Sequence, residues 1–364
     1  MELNNYETNQ SEIVENGLVI GIDWLSFTLP PDESLSVADT SFLLGFHPDD
    51  FTMSSKGANG YRTMHILSGA NLRILSNGNK EMGIHVDVSG SAISTLLSAW
   101  RKKITHSTPF GTDAVSLPDF TYTVLLDLLD TLFKMHASFT RIDLSIDDIG
   151  CHYYSCDDVL RLIENKQLIS KFRKCNVHYS RLLSDGTKQG DTIYLGSRQS
   201  EIMLRIYNKS LEMEHKHDTH FPYKWVRWEV ELKKDRANQA VKRLLETLNI
   251  SQIALGILKN YVRFIVHDSP NRFTCSTDST WDSFLNDLDG VSLYIPDNPK
   301  TIEDTKKWID KYVGASICAI VEADGGSFDY FYNHMEKWHK KRIQSRDLTN
   351  RLMQALTKRE ENSI

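Results

Sequence analysis

Segments in which apolar and polar residues alternate fill much of the first two-thirds of the chain. Successive side chains of a strand point to opposite faces, so this alternation predicts half-buried strands, and the β-branched and aromatic residues within the segments favour the same structure. The predicted strands are residues 21–29, 63–67, 71–75, 83–88, 139–146, 192–196, 201–207 and 224–232. This part of the chain is therefore expected to be rich in sheet.

Apolar residues spaced three and four apart predict helices between and after these strands. The predicted helices are residues 91–102, 122–136, 156–166, 235–248, 251–261, 301–312 and 330–357. Helices of the final third follow a sheet-rich beginning, so the pattern predicts an α+β fold of mainly antiparallel sheet flanked by helices, with a helical C-terminal region.

Three short stretches recur in the same order along the chain. They are IDWLSF (22–27) and IDLSI (142–146), NLRIL (71–75) and MLRIY (203–207), and GIHVDV (83–88) and WVRWEVEL (225–232). The common order predicts two pseudo-repeated halves, about residues 19–136 and 137–265, with chance similarity as the alternative for matches this short. In this alignment Leu75 takes the position of Tyr207, which would make the second half reactive and the first a scaffold or a cradle for substrate.

The repeat also suggests a domain organisation. Residues 1–18 are polar and are expected to form a flexible tail, residues 19–265 to form the main domain, and residues 266–364 to form the helical C-terminal region. Proline and asparagine signals at 267–273 and 295–300 mark the expected boundary.

Composition restricts the class of protein. The 364 residues are 40% hydrophobic and 25% charged, as in ordinary globular proteins. No apolar run approaches the roughly 18 residues of a membrane helix, and the polar, acidic N-terminus is unlike a signal peptide. The five cysteines form no C-x-x-C pair and are expected to be reduced thiols. We therefore expect a cytoplasmic protein without membrane contact.

The charge distribution leaves room for a local nucleic-acid site. A net charge of −6 argues against nonspecific coating of nucleic acid. Residues 337–359, however, carry eight lysines and arginines against the single acid Asp347. This basic segment is either a contact to DNA or a solvated helix face.

Three predicted strands of the second half each have one apolar face and one face of functional groups. The polar faces are formed by Arg141, Asp143 and Ser145, by Arg205, Tyr207 and Lys209, and by Trp225, Arg227, Glu229 and Glu231. If the strands share a sheet, these groups converge. For any one strand alone, a solvated face with cross-strand ion pairs is the alternative.

The converging groups predict a site for phosphodiester chemistry. The carboxylates of Asp143, Glu229 and Glu231 offer hard oxygen ligands suited to Mg²⁺ or Mn²⁺, and arginines bind phosphate oxygens. A tyrosine with an ordinary pKa of about 10 can act as nucleophile only where cations or a metal favour the phenolate. Tyr207 beside Arg205 meets this condition, although a packed aromatic side chain is the alternative.

Two sequence blocks resemble the replication initiation factor family. TIYLGSRQSEIMLRIYNKSLE (192–212) and WVRWEVELKKDRAN (225–238) carry its specific motifs, Y-x-G-S-R and R-I-Y-N-K-x-x-E, and GIDWLSFT, HVDVSG and FTRIDLSIDD resemble its other blocks. The resemblance covers about residues 20–250. The family includes initiators of rolling-circle plasmids, relaxases of conjugative transposons and replication proteins of some filamentous phages.

The resemblance implies site- and strand-specific nicking and joining of DNA at a rolling-circle replication or transfer origin. Tyr207 would attack by transesterification, leaving a 5'-phosphotyrosyl intermediate and a free 3'-hydroxyl, with residues 19–265 as the catalytic nicking domain. Arg205 and Lys209 would hold the scissile phosphate. Mg²⁺ or Mn²⁺ would be bound by Asp143, Glu229 and Glu231, with Asp147 and Asp148 in reserve.

The resemblance also implies two partners, origin DNA, both duplex and locally single-stranded, and a host helicase. The location implied is the bacterial cytoplasm, and a homodimer is compatible with the family. Residues 337–359 are the candidate for recognition of duplex origin DNA. The side chains expected to contact DNA are Arg141, Arg198, Arg227, Lys233, Lys340, Lys341 and Arg342.

Two other functions compete with this hypothesis. A non-catalytic origin-binding or regulatory protein is disfavoured by the three carboxylates, because they repel DNA unless a metal intervenes. A metal-dependent hydrolytic nuclease, in which water attacks and Tyr207 only positions the phosphate, fits the same residues. Covalent attachment of DNA to the protein distinguishes transesterification by Tyr207 from both alternatives.

Overall fold

The computed structural model describes residues 12–13, 17–32, 35–106, 120–217, 223–285 and 302–344. It divides the chain into two compact units, Met1–Tyr294 and Ile295–Ile364. The second unit contains the described helices of the C-terminal region. None of the described helices is long and apolar enough to cross a membrane.

The strands alternate apolar and polar residues for most of their length. They are β1 (Glu12–Ile13), β2 (Val19–Leu29), β3 (Phe51–Ser54), β4 (Thr63–Leu67), β5 (Leu72–Ser76), β6 (Ile84–Ser89), β7 (Ser138–Ile149), β8 (Leu168–Ser170), β9 (Cys175–Arg181), β10 (Lys188–Gly196), β11 (Ile202–Asn208), β12 (Trp225–Lys233) and β13 (Val262–Phe264).

The helices lie between and after these strands along the chain, and several of them begin at a capping serine or asparagine. They are α1 (Val37–Leu43), α2 (Ala92–His106), α3 (Phe120–Lys134), α4 (Cys156–Glu164), α5 (Lys209–His217), α6 (Asp235–Thr247), α7 (Ile250–Tyr261), α8 (Ser279–Leu285), α9 (Ile302–Tyr312), α10 (Gly314–Ala323) and α11 (Asp329–Gln344). A short 3-10 helix covers Pro48–Asp50.

Eleven of the described strands form one antiparallel sheet in the order β3-β4-β5-β6-β2-β7-β12-β11-β10-β9, with β1 added to β2. Each half of the chain builds one half of this sheet in the same way. The first strand of the half pairs with its last strand, and the remaining strands follow outward in reverse chain order. The two first strands, β2 and β7, then pair with each other across the centre. The predicted α+β fold with two pseudo-repeated halves is confirmed.

The register of the two halves matches residue by residue. Leu75 on β5 lies opposite His85 on β6, and Tyr207 on β11 lies opposite Arg227 on β12 in the corresponding place. Leu75 therefore occupies the position of Tyr207 in the first half, as the sequence repeat predicts.

Helices cover one face of the sheet and enclose the core. Asn238 on α6 fastens its helix to β7, because its side-chain oxygen accepts the Phe139 N–H at 2.9 Å and its amide donates to the Phe139 carbonyl at 2.9 Å. At the centre of the second half, the Trp228 ring packs against Trp281 and Phe284 on α8. Because α8 completes this core, the first compact unit extends past the boundary expected at residue 265.

Several described elements were not predicted, among them α1, α8, α10 and the strands β3, β8, β9 and β13. β9 reads CNVHYSR, in which Cys175, Val177 and Tyr179 alternate with polar residues, yet the strand is exposed along almost its whole length. α5 (Lys209–His217) was not among the predicted helices, and residues 218–220, which follow it, lie outside the described part. The predicted helix at 330–357 is described only as far as Gln344.

Candidate active site

The polar faces of β7, β12 and β11 meet in the second half of the sheet. Across β7 and β12, Asp143 lies opposite Glu231. Across β12 and β11, Glu229 lies opposite Arg205, and Arg227 lies opposite Tyr207. The convergence predicted from alternation alone is therefore present, because the three strands are direct neighbours in register.

Tyr207 lies at the centre of this group and is 8% exposed. Its hydroxyl donates to Glu229 Oε2 at 3.3 Å, and the Arg205 guanidinium lies 5.0 Å from its ring centroid. Burial raises the pKa of Tyr207 well above its ordinary value, while the charge of Arg227 acts in the opposite direction. The phenol is accordingly protonated at neutral pH in the free protein.

Lys209 approaches the tyrosine from a helix and not from the strand. It is the first residue of α5, so it does not continue the alternation of β11. Its ammonium lies 5.9 Å from the Tyr207 ring centroid and pairs with Glu212 at 3.2 Å. The predicted proximity to Tyr207 holds, but the start of a helix produces it.

The carboxylates are held by cations. Asp143 is completely buried and receives two hydrogen bonds from Arg141, from Nε at 2.8 Å and from Nη2 at 2.5 Å. Arg141 also reaches Glu231 at 2.8 Å, and Glu229 pairs with Arg205. Burial, together with the charges of Glu229 and Glu231, raises the pKa of Asp143 well above its ordinary range.

This network bears on the predicted metal ligands. In the described part of the chain, no group of three or more histidine, cysteine or acidic side chains is arranged to hold a metal ion. The donors nevertheless fit Mg²⁺ or Mn²⁺ chemically, because Asp143, Glu229 and Glu231 are hard oxygen ligands whose mutual repulsion a divalent cation would relieve. Such a cation would compete with Arg141 and Arg205 for the same oxygens.

Arg227 was predicted to contact DNA, but the structure encloses it. Its guanidinium donates to Asp147 from Nε at 2.7 Å and from Nη2 at 2.9 Å, and to Asp23 from Nη1 at 2.6 Å. Asp147 also accepts a hydrogen bond from the Trp225 indole at 2.7 Å. Arg227 thus ties β2 of the first half to the strands that carry Tyr207.

Asp147 and Asp148, the alternative metal ligands, have other contacts. Asp147 pairs with Arg227, as described, while Asp148 points to the opposite face and accepts the backbone N–H groups of His152 at 2.8 Å and Tyr153 at 2.9 Å. Asp148 therefore stabilises the turn after β7.

The other expected DNA contacts lie in three places. Arg141 lies over the Trp24 ring at 3.8 Å, beside the carboxylates. Arg198 is exposed and lies 5.6 Å from the Tyr194 ring centroid, and Lys233 donates to the Arg198 carbonyl at 2.9 Å. The remaining three belong to α11 of the second unit: Lys340 and Lys341, which are exposed, and Arg342, whose side chain lies outside the described part.

The first half contains a counterpart of this site. The sequence patterns did not assign it a role. Asp87 lies opposite both Arg73 and Ser26, just as Glu229 lies opposite Arg205 and Ser145. Its Oδ1 accepts from Ser26 at 2.6 Å and from the Trp24 indole at 2.7 Å. The aligned repeats HVDV (85–88) and RWEV (227–230) carried this signal.

Three comparisons place these observations among known proteins. A family model described as "Replication initiation factor" matches residues 137–337, which begin at β7 and include Tyr207 and the three carboxylates. "Putative DNA relaxase NicK" of Bacillus subtilis (strain 168) is 34% identical over 203 residues, covering 54% of this chain and 57% of that protein. The chain thus spans less than two-thirds of the length of this relative.

A solved structure shares the fold. The rolling circle replication initiator protein from Geobacillus stearothermophilus superposes with a TM-score of 0.61 and 21% sequence identity, over 77% of this chain and 100% of that chain. At this identity the similarity concerns the fold alone, and it covers the large antiparallel sheet flanked by helices.

Proposed function

The chain belongs to the replication initiation factor family, and from this premise we propose that it nicks and rejoins one DNA strand at a rolling-circle replication or transfer origin, with Tyr207 as nucleophile. The observation that carries the proposal is the environment of this tyrosine. Its hydroxyl faces Glu229, the cations of Arg205 and Lys209 lie 5.0 Å and 5.9 Å from its ring centroid, and Arg227 lies opposite it on β12.

The reaction is a transesterification at phosphorus. The Tyr207 oxygen forms a bond to the scissile phosphorus as the bond to the 3'-oxygen breaks. The departing 3'-oxygen takes a proton from solvent, which gives a 5'-phosphotyrosyl link and a free 3'-hydroxyl. The phenol proton passes to Glu229 Oε2, the carboxylate oxygen to which it is already bonded. Because the phosphoester bond is exchanged and not hydrolysed, attack by the 3'-hydroxyl rejoins the strand.

Arg205 and Arg141 are suited to bind the scissile phosphate. Their side chains are 32% and 22% exposed, whereas the carboxylates that they pair with are almost fully buried. A phosphate entering the site offers each guanidinium a second anion within reach. Turning toward the phosphate would free oxygens of Asp143, Glu229 and Glu231, which would hold Mg²⁺ or Mn²⁺. When bound there, the cation neutralises charge on the phosphate.

The remaining expectations extend this proposal to the rest of the protein. The first compact unit would be the nicking domain, and α11 with its exposed Lys340 and Lys341 would bind duplex origin DNA. Origin DNA would be met both as duplex and as locally single-stranded DNA in the bacterial cytoplasm. A host helicase would unwind from the nick, and a second copy of the chain would serve an origin with two half-sites.

A second candidate is a hydrolytic nuclease, favoured by the burial of Tyr207 and the resulting rise in its pKa. The two functions differ in their product. We would incubate the protein with Mg²⁺ and supercoiled plasmid carrying the DNA that flanks its gene, and search a denaturing gel for DNA-linked protein. A covalent band supports transesterification, whereas nicked plasmid without the band supports hydrolysis.

A further inference from the structure

A basic cavity lies at the far edge of the second half, away from the carboxylates. It has a volume of about 310 Å³, and its lining comes from the end of α4, from β8 and the loop after it, and from the loop after β13. Four of its lining residues are cations and none is acidic: Lys166, Arg173, Lys174 and Arg272. In a chain with a net charge of −6, such a cluster indicates an anionic ligand.

The cations are available to a ligand. All four are exposed, and none of them makes an ion pair among the residues that the structure describes. Arg272 uses one amino group to donate to the Leu168 carbonyl at 2.5 Å, which holds it at the rim. The backbone carbonyl of Lys174 accepts the Gly196 N–H at 2.9 Å, so the loop that carries Arg173 and Lys174 is fastened to β10.

The cavity also has apolar and aromatic walls. Ile163, Leu168 and Leu195 line it, and the exposed Phe273 side chain stands at its rim with 71% of its surface accessible. The Phe172 ring packs so closely on Gly196, whose φ is +103°, that an added Cβ would lie 3.0 Å from the ring. Phe172 also contacts Tyr261 at 5.3 Å between ring centroids. A fixed apolar wall beside exposed cations matches a nucleotide, which joins a flat base to an anionic phosphate.

The path from Tyr207 to this cavity is short. β11 and β10 are neighbouring strands. On the face of the active site, Tyr194 of β10 lies opposite Arg205. The next residue, Leu195, points to the other face of the sheet and lines the cavity there. Only the edge strand β9 lies beyond β10. Adjacent strands are about 4.8 Å apart, so a strand of DNA leaving Tyr207 would cross roughly 10 Å of sheet before it turns round this edge.

We propose that this cavity binds single-stranded DNA adjoining the nick, with phosphates on Arg173, Lys174, Lys166 and Arg272 and a base against Phe273. The proposal rests on the proposed function, since it assigns the site to DNA held at Tyr207. An acidic surface of another protein would use the cations but would not need the exposed aromatic ring, and for this reason single-stranded DNA is the occupant that the lining favours.

Binding can be tested without cleavage, in the Tyr207→Phe protein. The test pair is Arg173→Glu with Lys174→Glu, and the matched control is Lys80→Glu with Lys242→Glu, two exposed lysines elsewhere on the same unit. Fluorescence anisotropy would follow a long labelled thymidine oligonucleotide of about 30 nucleotides.

We expect the test pair to weaken binding of the long oligonucleotide about tenfold to a hundredfold. The plot of log K against log salt concentration should become less steep by about 1.4, because each lost phosphate contact on a single strand reduces the magnitude of the slope by about 0.7. The control pair should change the affinity for the long oligonucleotide by less than about threefold. Equal affinity of test and control proteins for the long oligonucleotide would overturn the proposal. Absence of the covalent product from wild-type protein would instead count against the proposed function.

Cys175 gives a second measurement, because its exposed thiol lines the cavity. The exposed Cys318 of the second unit serves as internal reference. The long oligonucleotide should slow maleimide labelling of Cys175 relative to Cys318, and the test pair should abolish this protection. Unchanged labelling at saturating oligonucleotide, or protection by polyglutamate but not by DNA, would reject the assignment to single-stranded DNA.

Discussion

The hydroxyl of Tyr207 lies 3.3 Å from Oε2 of Glu229, on the neighbouring strand of the same sheet. Glu229 pairs through its other oxygen with Arg205, which in turn lies over the Tyr207 ring. One carboxylate therefore touches both the proposed nucleophile and a cation suited to the scissile phosphate. This relationship links the protonation of the phenol to the position of the arginine.

Arg205→Gln should strengthen metal binding by the free protein. The guanidinium occupies Glu229, so its removal frees an oxygen that a divalent cation can use. We expect Mn²⁺ to bind about tenfold more tightly, or about 1.4 kcal/mol, measured by electron paramagnetic resonance of free Mn²⁺. The matched control is Arg161→Gln, which breaks an exposed pair with Asp158. Equal Mn²⁺ affinity in the two variants would contradict the competition between arginine and metal.

Arg227→Gln should destabilise the first unit strongly. The substitution removes the guanidinium that pairs with the buried Asp147. Loss of one partner of a buried ion pair typically costs about 3–5 kcal/mol, whereas breaking the exposed pair of Arg161 costs about 1 kcal/mol or less. Urea denaturation measures the difference. The double variant Arg227→Gln with Asp147→Asn should recover part of the loss. If Arg227→Gln unfolds at the same urea concentration as Arg161→Gln, Arg227 does not hold the halves together.

Tyr207 should also make stability depend on alkaline pH. Its folded pKa is raised above the unfolded value of about 10, so its protonation favours the folded state; this contribution is fully present below pH 10 and is lost as pH rises toward the folded pKa. Between about pH 10 and 11, wild-type protein should lose about 1 kcal/mol more than Tyr207→Phe. Thermal unfolding of both proteins across this range measures the difference. Parallel curves would mean that the phenol is not held in a buried environment.

Charge reversal on α11 tests the assigned role of the second unit. Lys340→Glu with Lys341→Glu should weaken binding to duplex origin DNA about tenfold and leave cleavage of a single-stranded origin oligonucleotide unchanged, because each lost phosphate contact weakens duplex binding. The control is Lys306→Glu with Lys307→Glu on α9, where Lys306 pairs with Glu303 much as Lys340 pairs with Glu336. If both pairs of substitutions have the same effect on duplex binding, α11 has no special part in it.

The sequence predicted the fold well where side chains alternate. The echoes of β2 in β7, β5 in β11 and β6 in β12 identified the duplication, because each repeat keeps both its strand order and its register. β9 was not predicted although Cys175, Val177 and Tyr179 alternate with polar residues; it is an edge strand that is exposed on both faces.

The site was predictable as a set of residues but not as a set of roles. Alternation correctly placed Arg227 on the polar face, yet it could not show that Asp147 and Asp23 enclose the guanidinium there. Lys209 lies near Tyr207 although the strand ends before it, since the local backbone turns into α5. The cavity at Arg173 and Phe273 joins loops about 100 residues apart in sequence, which no local pattern reveals.

The most direct measurement is covalent attachment of DNA to the protein. Wild-type protein and Tyr207→Phe would be incubated with Mg²⁺ and plasmid carrying the DNA that flanks the gene, then separated on a denaturing gel. The account predicts a DNA-linked band that is absent from Tyr207→Phe, while both proteins bind the uncleaved DNA with similar affinity. A linked band that persists in Tyr207→Phe, or nicking by wild-type protein with no linked band, would contradict it.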